Sequence, residues 1–284
     1  MNDPLSLRIL RYCPRNLISR LFGGVARCTW PRFLARGMIR SWAGRFEVDL
    51  EEADRPLEEY PSLLAFFTRE LKPGARPVAG GEELLVSPVD GRLGAFGEIE
   101  GGRLIQAKGM EYSLAALLGA DAAAAPFLGG KFLTLYLSPR DYHRIHSPAA
   151  GRIRESLYEP GTLWPVNPPA VATIPSLFAV NERVTARIDT ERGEVAVVMV
   201  GATNVGSIRL TYADFVTNRG AGRRVLQHVP PVLVERGDPI GIFQLGSTVV
   251  LLVGHSGFQW SGDLEPGQFH RMGGGLGRYP DGTE

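Results

Sequence analysis

Hydrophobic residues fall along this chain in two rhythms. From about residue 84 onward they come in short runs: KFLTLYL (131–137), GEVAVVMV (193–200), PIGIFQL (239–245) and STVVLLV (247–253). These runs are rich in β-branched or aromatic residues, and Gly, Pro or Asp bounds most of them, which predicts strands. One Ala/Leu-rich stretch near 113–125 predicts a helix, and Gly/Pro turns fill much of the rest. Strands and helices do not alternate regularly, so a doubly wound parallel sheet is disfavoured. The fold class expected is α+β: a mainly antiparallel β core with an amphipathic helical N-terminal region.

The first 45 residues keep a helical spacing and predict two short amphipathic helices. Pro14 and Pro31 each suit a first helical turn, where the missing N–H is not needed. Trp30, Leu34, Met38 and Trp42 recur every four residues, and Arg32, Arg36 and Arg40 do the same about 200° round the helix. Two readings stay open here. One is a helix packed on its own core with a solvated charged face; the other is a helix in the lipid headgroup zone, which tryptophan and arginine both suit. The stretch from Pro266, with GGGLG at 273–277, has too little apolar content for a core and predicts a flexible tail. No internal repeat is visible. Three regions follow: 1–60 helical and basic, 61–265 β-rich, and 266–284 a Gly-rich tail.

Composition adds limits. The chain has 284 residues, 44% hydrophobic and 21% charged, which makes it globular, with length for one large domain or two modest ones. A net charge of +1 gives no preference for nucleic acid. Charge placement is more telling: residues 1–45 hold nine arginines and one acid, Asp3, so the chain is polarised. Cys13 and Cys28 are the only cysteines, enough for neither a disulfide framework nor a Cys-based zinc site, and they fit a reducing compartment. No apolar run reaches the roughly 18 residues of a spanning helix. The start, MNDPLSLRIL, lacks the continuous apolar segment of a secretory signal. An Arg-rich, acid-poor start also matches a mitochondrial transit peptide, and that reading stays open.

Several residues could carry chemistry. Asp90 lies in SPVDG, above all a turn signal. His143 and His146 lie three apart in SPRDYHRIHSP, a spacing that suits a metal pair, but no third ligand is obvious and prolines bracket the segment. His228, His255 and His270 are scattered and carry no signal. Ser247 sits in Leu-Gly-Ser-Thr between two apolar runs, where Gly-Ser is routine in a tight turn. Yet glycine before serine is also what intramolecular attack requires, because Oγ reaches the preceding carbonyl only in a strained geometry that Gly246 tolerates. Asp, His and Ser together leave a hydrolase triad open, although the Gly-x-Ser-x-Gly elbow is absent.

Six segments together resemble the phosphatidylserine decarboxylase family, in its bacterial-type, pyruvoyl-dependent form with an LGST motif. They are FFTRELKPGARP (66–77), SPVDGRL (87–93), YLSPRDYHRIHSP (136–148), LFAVNERV (177–184), VGATNVGSI (200–208) and GIFQLGSTVVLL (241–252). They span most of the chain in the family's order. LGST alone is four common residues; six blocks in register are far more specific. The resemblance implies that Gly246–Ser247 is a self-cleavage bond and Ser247 the serine that attacks it. It implies Asp90 and His146 as the charge-relay partners, and His143 as a histidine associated with decarboxylation. The approach, VERGDPIG (234–241), departs from the Lys-Gly-Glu-rich version of relatives, which touches the strand and not the chemistry.

The implied maturation has His146, oriented by Asp90, take the Ser247 proton so that the alkoxide attacks the Gly246 carbonyl. Elimination and hydrolysis then leave a covalent pyruvoyl cofactor at residue 247, on a small chain 247–284 that stays with the large chain 1–246. The ketone forms a Schiff base with phosphatidylserine and accepts electrons as CO2 leaves, giving phosphatidylethanolamine. The partners implied are phosphatidylserine, an anionic membrane surface met by residues 1–60, and a second processed protomer in a homodimer. The place implied is the cytoplasmic face of a bacterial inner membrane, peripherally, ahead of the mitochondrial inner membrane. Two rivals are a serine hydrolase using Asp90, His146 and Ser247 on an external ester or amide, and a lipid-binding protein without catalysis.

Overall fold

Three of the four apolar runs, 131–137, 193–200 and 247–253, become the middle of one eight-stranded antiparallel sheet. The structure is a computed structural model describing residues 7, 12–203, 207–244, 247–255 and 257–280. From edge to edge the strands are Arg224–Val234, Gly151–Glu159, Arg183–Thr190, Gly193–Gly201, Ser247–Val253, Lys131–Leu137, Gly91–Glu98 and Phe269–His270. Both faces are covered. Val249, Leu251 and Val253 enter one core with Leu133, Leu135, Val197 and Met199. Val250 and Leu252 enter the other with Phe127, Phe132, Ala196 and Val198. A strand buried on both faces has no polar side to show, so its sequence reads as continuous apolar residues rather than alternation.

A small three-stranded sheet sets Pro239–Phe243 between Ile208–Leu210 and Arg144–His146. The expected helix at 113–125 is broken. Leu114–Leu118 ends at Gly119, whose φ of 83 is the left-handed conformation that glycine adopts without strain. A second short turn, Asp121–Ala124, follows.

Helices α1 (Arg15–Ala26), α2 (Arg32–Phe46) and α3 (Leu63–Phe67) form a third cluster around Ala26, Ile39, Ala43, Tyr60, Phe66 and Phe67. The stripe expected on α2 is not its buried face. Ala35, Ile39 and Ala43 face inward, where their mostly small side chains let the helix approach its neighbours; Trp30 and Leu34 are exposed, and Trp42 is half-buried.

The expected flexible tail is corrected over its described part. Phe269–His270 pairs with Gly91–Arg92, Gly275–Arg278 pairs with Leu84–Val86, and Met272, Leu276 and Tyr279 are buried. The glycines here serve close backbone approach: a Cβ on Gly277 would stand 2.5 Å from Gln259 O, and one on Gly273 would stand 2.7 Å from Pro77 O. Residues 281–284 lie outside the described residues.

The central strand should dominate stability. Leu251→Ala removes a wholly buried side chain and should cost about 2–5 kcal/mol. Leu233→Ala, on the exposed edge strand, should change it by no more than ~0.5 kcal/mol. Urea unfolding of the two variants checks the contrast.

Candidate active site

Ser247 opens the central strand, with Leu137 on one side and Gly201 on the other. Leu137 is also where Lys131–Leu137 gives way to the segment carrying both histidines. That segment is tied to the approach strand: Phe243 N–H donates to His143 O at 3.0 Å, and Arg144–His146 pairs with Pro239–Phe243. Pairing therefore brings the histidine segment to the end of the sheet where Ser247 lies: Leu137 neighbours Ser247, and His143 is bonded to Phe243, four residues before it. Leu245 and Gly246 lie outside the described residues, so the expected cleavage bond is described from its Ser247 side.

Ser247 is wholly buried, and its Oγ has no hydrogen-bond partner among the described residues. A buried hydroxyl without a partner is costly, and that cost is tolerated where the group has chemistry to do. The same holds for Nε2 of His143. His143 Nδ1 lies 2.8 Å from Asp141 O, and a carbonyl only accepts, so Nδ1 carries the proton and Nε2 keeps its lone pair. His146 repeats the arrangement, with Nδ1 donating to Gly237 O at 2.7 Å and Nε2 accepting from the Tyr142 hydroxyl at 3.1 Å.

Burial sets the protonation. It pushes His143 down to about 3, helped by the nearby Arg69 charge and opposed by the bond to Asp141 O. It lowers His146 too, with the Gly237 bond and the Asp90 charge working the other way. Both rings are neutral at pH 7 and can accept a proton. Burial also raises Asp141 to about 6, against the donation from Ser138 N–H.

Asp90 is buried close by, but its oxygens are taken. Arg76 Nε donates to Oδ1 at 2.8 Å and to Oδ2 at 3.0 Å, and Met272 N–H donates to Oδ1 at 2.8 Å. Arg76 also reaches Glu52 at 2.7 Å. The expected direct orientation of His146 by Asp90 is therefore replaced: Gly237 O orients the ring, and Asp90 acts on it through space.

The N-terminal helices roof this site. The Phe67 ring lies 3.9 Å from the His143 ring between centroids. Arg69 Nη2 donates to Arg140 O at 3.0 Å, and Arg144 Nε donates to Thr68 O at 3.1 Å. Sequence reasoning missed Tyr142, Gly237, Arg76, Met272 and Phe67 as participants. Tyr142, Arg76 and Phe67 lay inside segments already singled out; Gly237 and Met272 act through backbone atoms, which leave no trace in residue type.

Comparison with known proteins gives one consistent answer. A family model described as phosphatidylserine decarboxylase matches residues 63–278. The chain is 43% identical over 277 residues to the phosphatidylserine decarboxylase proenzyme of Myxococcus xanthus (strain DK1622), covering 98% of this chain and 99% of that one. It is 44% identical over 280 residues to the protein of that name from Anaeromyxobacter sp. (strain K), with 98% and 99% covered. To the one from Pseudomonas aeruginosa (strain LESB58) it is 46% identical over 266 residues, with 92% of each chain covered.

The Arg76–Asp90 pair has side-chain exposures of 8% and 2%, so removing one member strands a buried charge. Arg76→Ala should cost about 3–5 kcal/mol in denaturant unfolding. Adding Asp90→Asn to the same chain should recover part of that loss, because the stranded charge is gone.

Proposed function

The chain belongs to the phosphatidylserine decarboxylase family and is a decarboxylase of phosphatidylserine made as a proenzyme; we propose that it matures by cutting its own backbone between Gly246 and Ser247. The observation that carries this reading is the Ser247 hydroxyl, wholly buried and with no hydrogen-bond partner among the described residues, at the end of the sheet where the histidine segment begins. In the uncut chain an external ester has no route to a hydroxyl with no exposed surface, which tells against the serine hydrolase; in the proposed reading it is the cut that frees residue 247 to meet water and a substrate amine. A nucleophile whose target is its own preceding carbonyl needs no such route.

In the proposed cut, His146 Nε2 releases its contact with Tyr142 and takes the Ser247 proton. Oγ bonds to the Gly246 carbonyl carbon, the C–N bond breaks, and the freed nitrogen receives the proton, leaving an ester. Loss of the Ser247 α-proton then expels the Gly246 carboxylate and leaves dehydroalanine. This becomes an imine, and water replaces its nitrogen as ammonia. Asp90 favours the transient positive charge on His146 through space.

The surroundings suit a pyruvoyl group at 247. The position is buried in the uncut chain, and pairing with Leu137 and Gly201 keeps a new chain end in place. The ketone supplies a carbonyl for the substrate amine and a sink for the electrons left by CO2. His143, neutral and with Nε2 unpartnered, is the residue we assign to moving a proton at the substrate carbon.

The first helices support a peripheral membrane attachment. Among the described residues no helix is long and apolar enough to cross a membrane. Yet Leu17, Leu21 and Val25 form an exposed stripe on α1, and Trp30, Phe33 and Leu34 continue it at the start of α2. Arginines flank that apolar surface, which suits an anionic headgroup layer. The cytoplasmic face of a bacterial inner membrane, lasting association of the two chains and a homodimer of processed protomers complete the proposal.

Freshly folded protein should therefore resolve by intact mass into fragments 1–246 and 247–284. Ser247→Ala and His146→Ala should stay at full length, whereas His143→Ala should process yet decarboxylate about 10²-fold or more slowly. Because burial lowers the histidine base, the acid limb of processing should fall below pH 6.5; a midpoint at or above it would exclude His146. Leu21→Asp with Phe33→Asp should process normally but lose co-sedimentation with phosphatidylserine vesicles, and unchanged sedimentation would return the stripe to a purely structural role.

A further inference from the structure

A cavity of about 740 Å³ lies beside the approach to Ser247, with α1 on one wall, the stretch 209–219 on the other, and Gln244 between them. Its described lining holds four arginines, Arg20, Arg27, Arg209 and Arg219, against one acid, Asp214. Among the described residues the side-chain hydrogen bonds of Arg27 and Arg20 go to uncharged partners, although the Arg20 charge is also felt by the buried Glu182. Arg27 Nη2 donates to Gln244 Oε1 at 2.7 Å, and Arg20 Nε donates to Asn218 O at 3.1 Å and Oδ1 at 3.2 Å. Gln244 Oε1 also accepts from Ser207 Oγ at 2.6 Å, so the amide that meets Arg27 is held from two sides. Each guanidinium keeps further N–H donors, a fork matched to the oxygens of a phosphate.

Place and reach decide which anion fits. Gln244 stands three residues before Ser247, so their Cα atoms are at most about 11 Å apart. In a serine phospholipid four bonds separate phosphorus from the amine nitrogen, a span of about 5 Å. A phosphate held by a long arginine side chain on the side of Gln244 toward residue 247 would let the amine cover about half of that separation. Arg20 and Arg27 also lie roughly 110° round α1 from the exposed stripe of Leu17, Leu21 and Val25, so a lipid with its tails under that stripe brings its headgroup to this cavity. The headgroup carboxylate is the wrong occupant: gripping the group that must leave as CO2 would stabilise the ground state and slow the reaction.

We propose that this cavity is a phosphodiester subsite in which Arg27, held by Gln244 and joined by Arg20 and Arg209, binds the substrate phosphate and sets how far its amine reaches toward residue 247. This inference rests on the reading of Ser247 as the reacting position. Arg27 is then a binding and positioning residue with no part in maturation.

The test uses processed full-length enzyme with phosphatidylserine in non-ionic mixed micelles. Arg27→Gln and Arg209→Gln should be cut like wild type, raise KM about tenfold or more, the scale of one charge-assisted hydrogen bond, and leave kcat within about threefold. Arg103→Gln, the same charge loss on a distant exposed hairpin, should leave both parameters unchanged. Glycerophosphoserine should compete in wild type and lose about tenfold in potency in Arg27→Gln, while inorganic phosphate at the same concentration should not compete. An unchanged KM in both cavity variants, an equal rise in Arg103→Gln, or equal competition by inorganic phosphate would each overturn the subsite. If Arg27→Gln fails to fold, Arg209→Gln carries the same test from the opposite wall. An uncut wild type would sink the reading of Ser247 itself, a result distinct from normal cutting with unchanged KM.

Discussion

The structure depends on the hydrogen-bond ladders that hold Ser247–Val253 between Lys131–Leu137 and Gly193–Gly201. All seven residues of this strand are buried, and each faces a residue of both neighbours. A chain end created at 247 inherits a fixed position from that pairing, with no need for a covalent link behind it. The same ladders deny the serine hydroxyl any contact with water. Proposed chemistry and proposed retention of the small chain thus share one cause.

The remaining parts of the site hang on this strand indirectly. The histidine segment starts where the neighbouring strand ends, and the approach strand fixes it by pairing. The helical roof then packs on that segment through Phe67, Arg69 and Thr68. The helices with exposed apolar surface, α1 and α2, share a cluster with α3, and α3 in turn packs on the histidine segment, so the proposed membrane surface and the site are joined through α3.

Much of this was legible in the sequence, for physical reasons. Strands buried on both faces announce themselves as apolar runs, and 131–137, 193–200 and 247–253 fall where expected, within a residue. Ser247, His143 and His146 could be picked out by type, and the histidine segment starts where the strand beside Ser247 ends. What stayed hidden was work done by backbone atoms. Gly237 O fixes the His146 tautomer from 91 residues away, and Met272 N–H completes the shell of Asp90 from 182 residues away. Neither leaves a mark in residue type. The Gly-rich end misled for a related reason: its glycines permit close packing, while composition alone suggests freedom.

The last strands of the chain carry a further consequence. Residues 247–280 enter the sheet at its centre, cover Gly91–Arg92 at its edge, and pair with Leu84–Val86 beyond it. In a single polypeptide these contacts re-form each time the protein folds. In a severed one, the two pieces would have to find each other again by diffusion. Refolding would then be a second-order event that dilution slows, and the working lifetime of the enzyme would depend on the height of its unfolding barrier more than on its equilibrium stability.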